Sequence, residues 1–188
     1  ATWLQTAGVN TLRPEIVTDG DTYTSVAIKQ EAPIVPVGSK EHRPHRLAVG
    51  LYDINGNVLK LRTSIELDVA GALSVVPEFA GQRVADLLLI NDRDLSYAKI
   101  RFDARSLATL KTHLGKISDP LTRALCWAAV WDMHRDAEIS SQDFLDIAFA
   151  GLPGENDDAV VSITLSQMYT SVEAYSTDAN RNQMRIKL

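Results

Sequence analysis

Glu41-His42-Arg43-Pro44-His45 is the densest group of histidines in the chain, and these residue types could bind zinc or activate a water molecule. A zinc-binding helix of the His-Glu-x-x-His type needs two imidazoles on one helical face and a Glu between them. Here the histidines are only three residues apart, Pro44 interrupts any helix, and Glu41 precedes both. The pattern favours a solvated loop over a metal site. A hydrolase that uses His42 or His45 is the weakest of three functional hypotheses.

Other reactive residue types also have simpler structural explanations. Cys126 lies in an apolar run, whereas a nucleophilic thiol needs an electropositive, partly exposed setting with a base nearby, so we expect a buried thiol. The runs 157–158 and 92–94 place aspartates at turns or helix starts, where capping is their usual role. No Gly-rich phosphate loop occurs in the sequence. The sequence therefore predicts no catalytic, metal-binding or cofactor-binding residue.

Two tryptophans and two histidines lie on predicted helices of the second half. Trp127 and Trp131 are four residues apart on one helical face and could line a groove, but in an apolar run they are more often part of a core. His113 and His134 lie near helix C-termini, where a partly charged imidazole interacts favourably with the helix dipole. We expect structural roles for all four.

The elements that position these residues change character after Phe102. Of the 17 glycines and prolines, 12 fall in the first 102 residues, where alternating patterns and turn residues predict strands. Asn55-Gly56-Asn57 predicts a tight hairpin because Asn-Gly supplies the positive φ angles that such a turn requires. Pro33, Pro36 and Pro44 mark the loop before this hairpin. The fold prediction is an antiparallel, Ig-like β-sandwich whose strands lie at 12–18, 22–30, 47–54, 58–69, 84–91 and 95–102.

Helical spacing replaces this alternation from Asp103 onward. Asp103 is the predicted cap of a first helix that Gly115 would end in a left-handed turn. Asp119-Pro120 opens a second helix that runs to Arg135 and is apolar on all sides around Trp127, which predicts that other helices enclose it. Ser140 opens a third helix, which Gly151 and Pro153 would close.

A fourth helix begins at Asp157-Asp158 and carries an apolar stripe, which predicts a packing face. The stripe consists of Val161, Leu165, Met168, Val172 and Tyr175. Because the connections between helices are short, we expect consecutive helices to be antiparallel, as in a bundle or in an ARM/HEAT-like helical solenoid.

Composition excludes several classes of protein. A net charge of -5 without a basic cluster argues against a nucleic-acid binder. The longest apolar run, 124–131, is far shorter than the roughly 20 residues that cross a bilayer, so no membrane partner is expected. A single cysteine excludes a disulfide framework within the chain and suits the cytoplasm. The start, Ala1-Thr2-Trp3, has no Met and no signal peptide, from which we expect a piece of a longer protein.

Four long strings carry a family resemblance: WLQTAGVNTLRPEI (3–16), RPHRLAVGLYD (43–53), DLLLINDRDLSYAKIRFD (86–103) and DPLTRALCWAAVWDMHRD (119–136). They resemble the aminopeptidase N family of zinc metallopeptidases, and most closely its bacterial, actinobacterial branch. The resemblance covers residues 3 to about 176 and leaves 178–188 unplaced. It implies that residues 1–102 are a connector plus the small β-sandwich, and that 103–188 begin the C-terminal helical solenoid.

The resemblance also implies a function for the parent protein. Family members remove N-terminal amino acids from peptides with a zinc-activated water and hold the substrate amine with a Gly-x-Met-Glu-Asn loop. Neither that loop nor His-Glu-x-x-His occurs in this sequence, so no site residue is carried over and zinc is expected only in the parent. The isolated chain is expected to be inactive, and its implied role is to brace the catalytic domain through a connector, 3–12, and to wall the peptide chamber.

The partners that follow are the catalytic domain of the same parent chain and, in the parent, peptide substrates. Helices at the end of a truncated array would expose an apolar face, which predicts dimerisation through that face. The alternative hypothesis, from a different class, is an independent protein- or peptide-binding module with no enzymatic parent.

Overall fold

The computed structural model describes residues 2–34 and 40–188, so Pro36 of the predicted loop lies outside the described residues. A short helix, α1 (Thr2–Gln5), precedes the strands. The strands are β1 (Thr11–Asp19), β2 (Thr22–Glu31), β3 (His45–Asn55), β4 (Val58–Val69), β5 (Leu73–Val75), β6 (Leu87–Ile90) and β7 (Lys99–Ile100). The helices that follow are α2 (Ala104–His113), α3 (Pro120–Arg135), α4 (Ser141–Gly151), α5 (Asp158–Thr170) and α6 (Asp178–Lys187). The predicted order of β followed by α is confirmed.

The strands form two sheets. The four-stranded sheet has the order β5-β2-β1-β7, and the three-stranded sheet has the order β4-β3-β6. Strands β1 and β2 are antiparallel from the pair Thr11 and Glu31 to the pair Asp19 and Thr22. The β1–β7 pairing is parallel and only two residues long. Most of the ladder is therefore antiparallel, as predicted.

The predicted hairpin joins β3 to β4 through Gly56-Asn57. Gly56 has a φ angle of 63°, and it alone supplies the left-handed conformation in this turn. The alternation along β4 places Leu59, Leu61 and Val69 on one face, on which Leu59 and Val69 are buried but Leu61 is 49% exposed. The apolar face of β4 is thus buried at its two ends, exposed at Leu61 and half-buried from residue 63 to residue 67.

The last two predicted strands are shorter than expected. The predicted strand 84–91 forms a ladder only at Leu87–Ile90, and 95–102 only at Lys99–Ile100. Between them, the Asn91 side chain accepts from the Ser96 backbone N–H at 3.0 Å and donates to the Ser96 carbonyl oxygen at 2.7 Å. These side-chain bonds replace backbone pairing, so the segment is a loop with Asn91 and Asp94 at positive φ.

The chain divides into two compact units. The first, here the sheet unit, is Ala1–Asp53 with Leu61–Leu107, as far as these residues are described; the second, here the helical unit, is Ile54–Lys60 with Ala108–Leu188. The hairpin tip thus belongs to the helical unit, where Leu59 forms a β-bridge with Ile117. The division into 1–102 and 103–188 stays a prediction.

The predicted helix starts are confirmed by their capping bonds. Asp103 accepts from the backbone N–H groups of residues 105 and 106. Asp119 accepts from residue 122 at 2.7 Å, and Ser140 from residue 143 at 3.0 Å. Asp157 accepts from residues 159 and 160. These are local bonds within three residues, which is why the sequence predicts them well.

Gly115 does not have the predicted left-handed conformation. Helix α2 ends at His113 and continues into a 3-10 turn, Leu114–Lys116. A Cβ atom on Gly115 would collide with the backbone carbonyl oxygen of Gly151, and one on Gly154 with that of Gly115. Glycine is needed here because two backbone turns approach each other closely, not because of its φ angle.

The predicted enclosure of α3 is only partly correct. Cys126 and Trp127 are buried, whereas Leu121 is 46% exposed and Ala128 is exposed. On the fourth predicted helix Met168 and Val172 are buried, but Leu165 and Tyr175 are about half exposed. A π-helical turn, Ser171–Tyr175, follows α5 and interrupts the regular α-helical spacing on which the predicted stripe was based.

Helix α6 occupies the stretch that the sequence left unplaced. None of the helices in the described part of the chain is both long enough and apolar enough to cross a bilayer.

Candidate functional site

The candidate metal-binding histidines are separated by their surroundings. His42 is exposed, but His45 begins β3 and is only 3% exposed, so the predicted solvated loop is wrong for His45. The His45 Nδ1 atom lies 2.6 Å from the Ser96 hydroxyl oxygen, and its ring packs edge-on against Trp3 with centroids 5.1 Å apart. Within 2–34 and 40–188, no group of three or more His, Cys, Asp or Glu side chains is arranged to hold a metal ion.

Arg43, between these histidines, is a deeply buried cation of the sheet unit at 1% exposure. Its guanidinium donates to the carbonyl oxygens of Thr6 (2.8 Å), Ala7 (3.2 Å) and Gly8 (2.7 Å) and to the Asn10 Oδ1 atom at 2.8 Å. Every one of these acceptors is a neutral oxygen. We call residues 3–10 the N-terminal strap, since Arg43 holds them through acceptors at four positions, 6, 7, 8 and 10.

The strap is fixed at both of its ends. The Arg43 guanidinium lies over the Trp3 ring, 5.1 Å from its centroid, in a cation–π contact. The Trp3 Nε1–H donates to the Pro44 carbonyl oxygen at 3.2 Å, and the Asn10 amide donates to the Glu41 carbonyl oxygen at 2.7 Å. Sequence reasoning missed Arg43, because an arginine beside a proline at the start of a strand is usually exposed.

In the helical unit, Arg123 and Glu155 form a buried ion pair whose side chains are 6% and 1% exposed. Arg123 donates to both Glu155 oxygens, at 2.9 and 2.7 Å, and the Trp127 indole N–H donates to the same carboxylate at 3.1 Å. The hydrogen bonds from Arg123 lower the pKa of Glu155 to about 2. This group, here the α3–α5 lock, fixes α3 to the turn before α5 and confirms the structural role predicted for Trp127.

A cavity of about 430 Å³ lies in the helical unit where α3 ends, α4 begins and α6 passes. His134 lines it at 4% exposure, and its Nδ1 atom is 3.3 Å from the Ile139 carbonyl oxygen. The ring stacks on Phe144 with centroids 5.1 Å apart, and Tyr175 meets it edge-on. Burial lowers the pKa of His134 and so disfavours the partly charged form, while its stacking on Phe144 agrees with the structural role predicted at this helix end.

The remaining candidate residues have structural surroundings. Cys126 is a fully buried thiol, as predicted. Asp92 departs from its predicted turn role, because its carboxylate is 5% exposed and accepts from the Tyr52 hydroxyl and, at 3.2 Å, from the Ser64 hydroxyl. Trp131 is partly exposed and packs on Phe144, with ring centroids 5.2 Å apart. The described side chains thus form anchors between chain segments and line one cavity.

Comparisons with known proteins show which family this chain resembles. Residues 87–188, more than half of the chain, match the family model described as "ERAP1-like C-terminal domain". Aminopeptidase N of Streptomyces lividans is 46% identical over 187 residues, which covers 97% of this chain and 22% of the relative. The chain therefore spans about a fifth of the length of that relative, and the resemblance to the aminopeptidase N family is confirmed. On the family-model match, the chain belongs to the family of ERAP1-like C-terminal domains.

Proposed function

We propose that the chain is a non-catalytic, structural region of a zinc-dependent aminopeptidase that removes N-terminal amino acids from peptides. The observation that carries this proposal is the 46% identity to an aminopeptidase N over 97% of the chain. An identity that is continuous over both units supports a shared architecture rather than a shared short motif. In this proposal the sheet unit is an Ig-like sandwich and the helical unit is the start of an ARM/HEAT-like solenoid.

The strap supports the bracing role. Arg43 and Trp3 hold residues 3–10 against the sheet unit through hydrogen bonds of 2.7 to 3.2 Å. Ordering a segment costs conformational entropy, and here the hydrogen bonds offset that cost. Because the strap is held at several points, its direction relative to the rest of the sheet unit is fixed. A domain that precedes the strap in the parent would therefore be held at a defined angle, which is the requirement for bracing.

The helical unit supports the wall role. The α3–α5 lock and the close approach of Gly115 to Gly151 make it rigid. The cavity beside His134 gives its surface a recess with hydroxyl, amide and aromatic groups, contributed by Ser140, Asn180 and Tyr175 among others. Groups of this kind suit contacts with the polar backbone and varied side chains of peptides.

The side chains in the described part of this chain do not fit zinc. His42 is exposed, His45 is enclosed by Trp3 and Ser96, and His134 is stacked on Phe144, so the three imidazoles lie in different surroundings. We therefore assign zinc and its chemistry to other parts of the parent, and no catalytic step to this chain. The buried thiol of Cys126 supports a reducing, cytoplasmic location for the parent.

A chimera tests the proposal. The corresponding region of the Streptomyces lividans aminopeptidase N is replaced by this chain, and kcat/KM is measured for a short peptide and an aminoacyl reporter. We expect a chimera that is active on both, whereas the relative lacking this region should be inactive or unstable. A folded chimera without turnover would contradict the proposal and favour the independent binding module.

The isolated chain supplies the second arm of the test. We expect it to purify without stoichiometric zinc and without turnover of the aminoacyl reporter, with the complete Streptomyces lividans enzyme as positive control. Zinc at one equivalent together with turnover would contradict a non-catalytic role.

Ile163 and Tyr169 on α5 are 57% and 62% exposed, which supports the proposed contact between copies of the chain. Light scattering at several concentrations tests this dimerisation.

A further inference from the structure

His45 lies where Trp3 of the strap meets the rest of the sheet unit. Its ring is covered on one side by Trp3 of the strap, with an interplanar angle of 88°. On another side its Nδ1 atom meets the Ser96 hydroxyl, in the loop after β6. The side chain is 3% exposed, and Trp3 is one of the groups that cover this ring.

A proton on this ring would have no suitable partner. An imidazolium carries two N–H donors, and the Nε2 atom of His45 is buried without a hydrogen-bond partner in the described part of the chain. An unsatisfied buried donor that also carries charge is costly. The charged form of His45 is therefore disfavoured by the geometry of its enclosure.

The charged groups around His45 add to this effect. Arg43 is a cation two residues away, and it is held in place by the same strap. The facing groups on the strap and on the loop after β6, Trp3 and Ser96, are neutral. The two acids of that loop bind other groups: Asp92 accepts from the Tyr52 and Ser64 hydroxyls, and the exposed Asp94 accepts from Asn91 at 3.4 Å. No acid among these groups compensates a charge on His45.

We propose that the strap is a pH-dependent contact: acidification protonates His45, and residues 3–10 then leave the sheet unit. The switch concerns the chain's own N-terminal segment, so it does not depend on an aminopeptidase parent.

The direction follows from proton linkage. Burial, and then the Arg43 charge, lower the pKa of His45 in the docked strap, whereas an exposed imidazole titrates near its ordinary value of 6.5. The released state therefore binds more protons, and docking weakens as the pH falls below about 6.5. Each unit by which docking lowers the pKa of His45 reduces the docking equilibrium constant about tenfold at acid pH.

Indole N–H signals in nitrogen-15 NMR spectra measure docking on the intact chain. The Trp3 indole donates to Pro44, and the Trp127 indole donates to Glu155, whose carboxylate stays ionised above its pKa of about 2. Between pH 7.5 and 5 we expect the Trp3 signal to move to the position of an exposed indole while the Trp127 signal stays. A Trp3 signal that is constant over this range would overturn the switch.

Two variants assign the transition to His45. His45→Gln should remove the pH dependence of the Trp3 signal, and His42→Gln, at the exposed neighbouring histidine, should retain it. A transition that persists in His45→Gln would overturn the assignment. Because His45→Gln could fail to dock at any pH, the imidazole of His45 is also titrated in Trp3→Ala. There its pKa should rise toward the ordinary value, and an unchanged pKa would contradict the switch.

Discussion

Arg43 and Arg123 are both buried arginines, but the two units satisfy their hydrogen-bond donors with different acceptors. In the sheet unit Arg43 binds neutral oxygens of the strap, among them three consecutive backbone carbonyls. In the helical unit Arg123 binds both oxygens of the Glu155 carboxylate in addition to two neutral oxygens, of Ile117 and Asn156. Carbonyl oxygens of irregular backbone are free to accept from a side chain, whereas a carbonyl within a helix already accepts from the backbone N–H four residues later. An arginine that packs among helices therefore depends more on a carboxylate.

Because of this difference, the strap and the α3–α5 lock weaken at different pH values. The strap weakens when a neighbouring histidine gains a proton, at mildly acid pH. The α3–α5 lock weakens only when a carboxylate with a pKa of about 2 gains a proton. The two contacts can therefore be opened one at a time by choice of pH or of side chain.

The largest expected effect comes from removing the tryptophan of the lock. Trp127→Ala should lower the free energy of unfolding of the helical unit by about 3–5 kcal/mol, because it leaves a cavity and removes a donor to Glu155. Trp131→Ala, at a partly exposed position on the same helix, should cost less. Urea unfolding followed by circular dichroism at a helix-sensitive wavelength measures both. Equal losses of unfolding free energy in the two variants would show that the α3–α5 lock does not contribute to stability.

The next effect is the acid sensitivity of the same lock. The pKa of Glu155 is about 2 in the folded chain against an ordinary 4.5, so its contribution of roughly 3 kcal/mol is fully present above pH 4.5 and is lost as the pH falls toward 2. The free energy of unfolding, measured in urea at several pH values, should show this loss.

Glu155→Gln is the control for that measurement. It should be less stable than the unsubstituted chain at neutral pH, because Arg123 then has no carboxylate partner. Its free energy of unfolding should also vary less between pH 4.5 and 2. The same acid dependence in Glu155→Gln and in the unsubstituted chain would assign the loss of stability to other carboxyl groups. Asp143, whose pKa is lowered by Lys111 and Ser140, is then the next group to replace.

A smaller effect distinguishes the glycines of the two units. Gly115→Ala should cost about 1–3 kcal/mol, because the methyl group would collide with the Gly151 backbone, and Gly115→Asn should cost at least as much. Gly71, in the sheet unit, has a φ angle of 66° and open space around its Cα atom. Gly71→Asn should cost less than Gly71→Ala, since Asn tolerates the left-handed conformation. Thermal unfolding of the four variants tests both statements, and an Asn that rescues position 115 would contradict the first.

The sequence predicts features that depend on neighbours along the chain. Asp119 and Ser140 are correctly identified as caps, because a capping bond joins residues three apart. The hairpin at Gly56 is predicted for the same reason. Strand length at 95–102 is overestimated, since the pattern does not show that Asn91 and Ser96 bond through a side chain.

The sequence by itself also determined the family, because long strings in a constant order extend through both units, and the matches at 87–188 and over 97% of the chain agree with it. Only the tertiary structure decided the anchors. Arg43 binds residues more than 30 positions away, and Arg123 binds a carboxylate 32 positions away. Burial of an arginine depends on which distant oxygens the fold brings to it, and no local pattern encodes that.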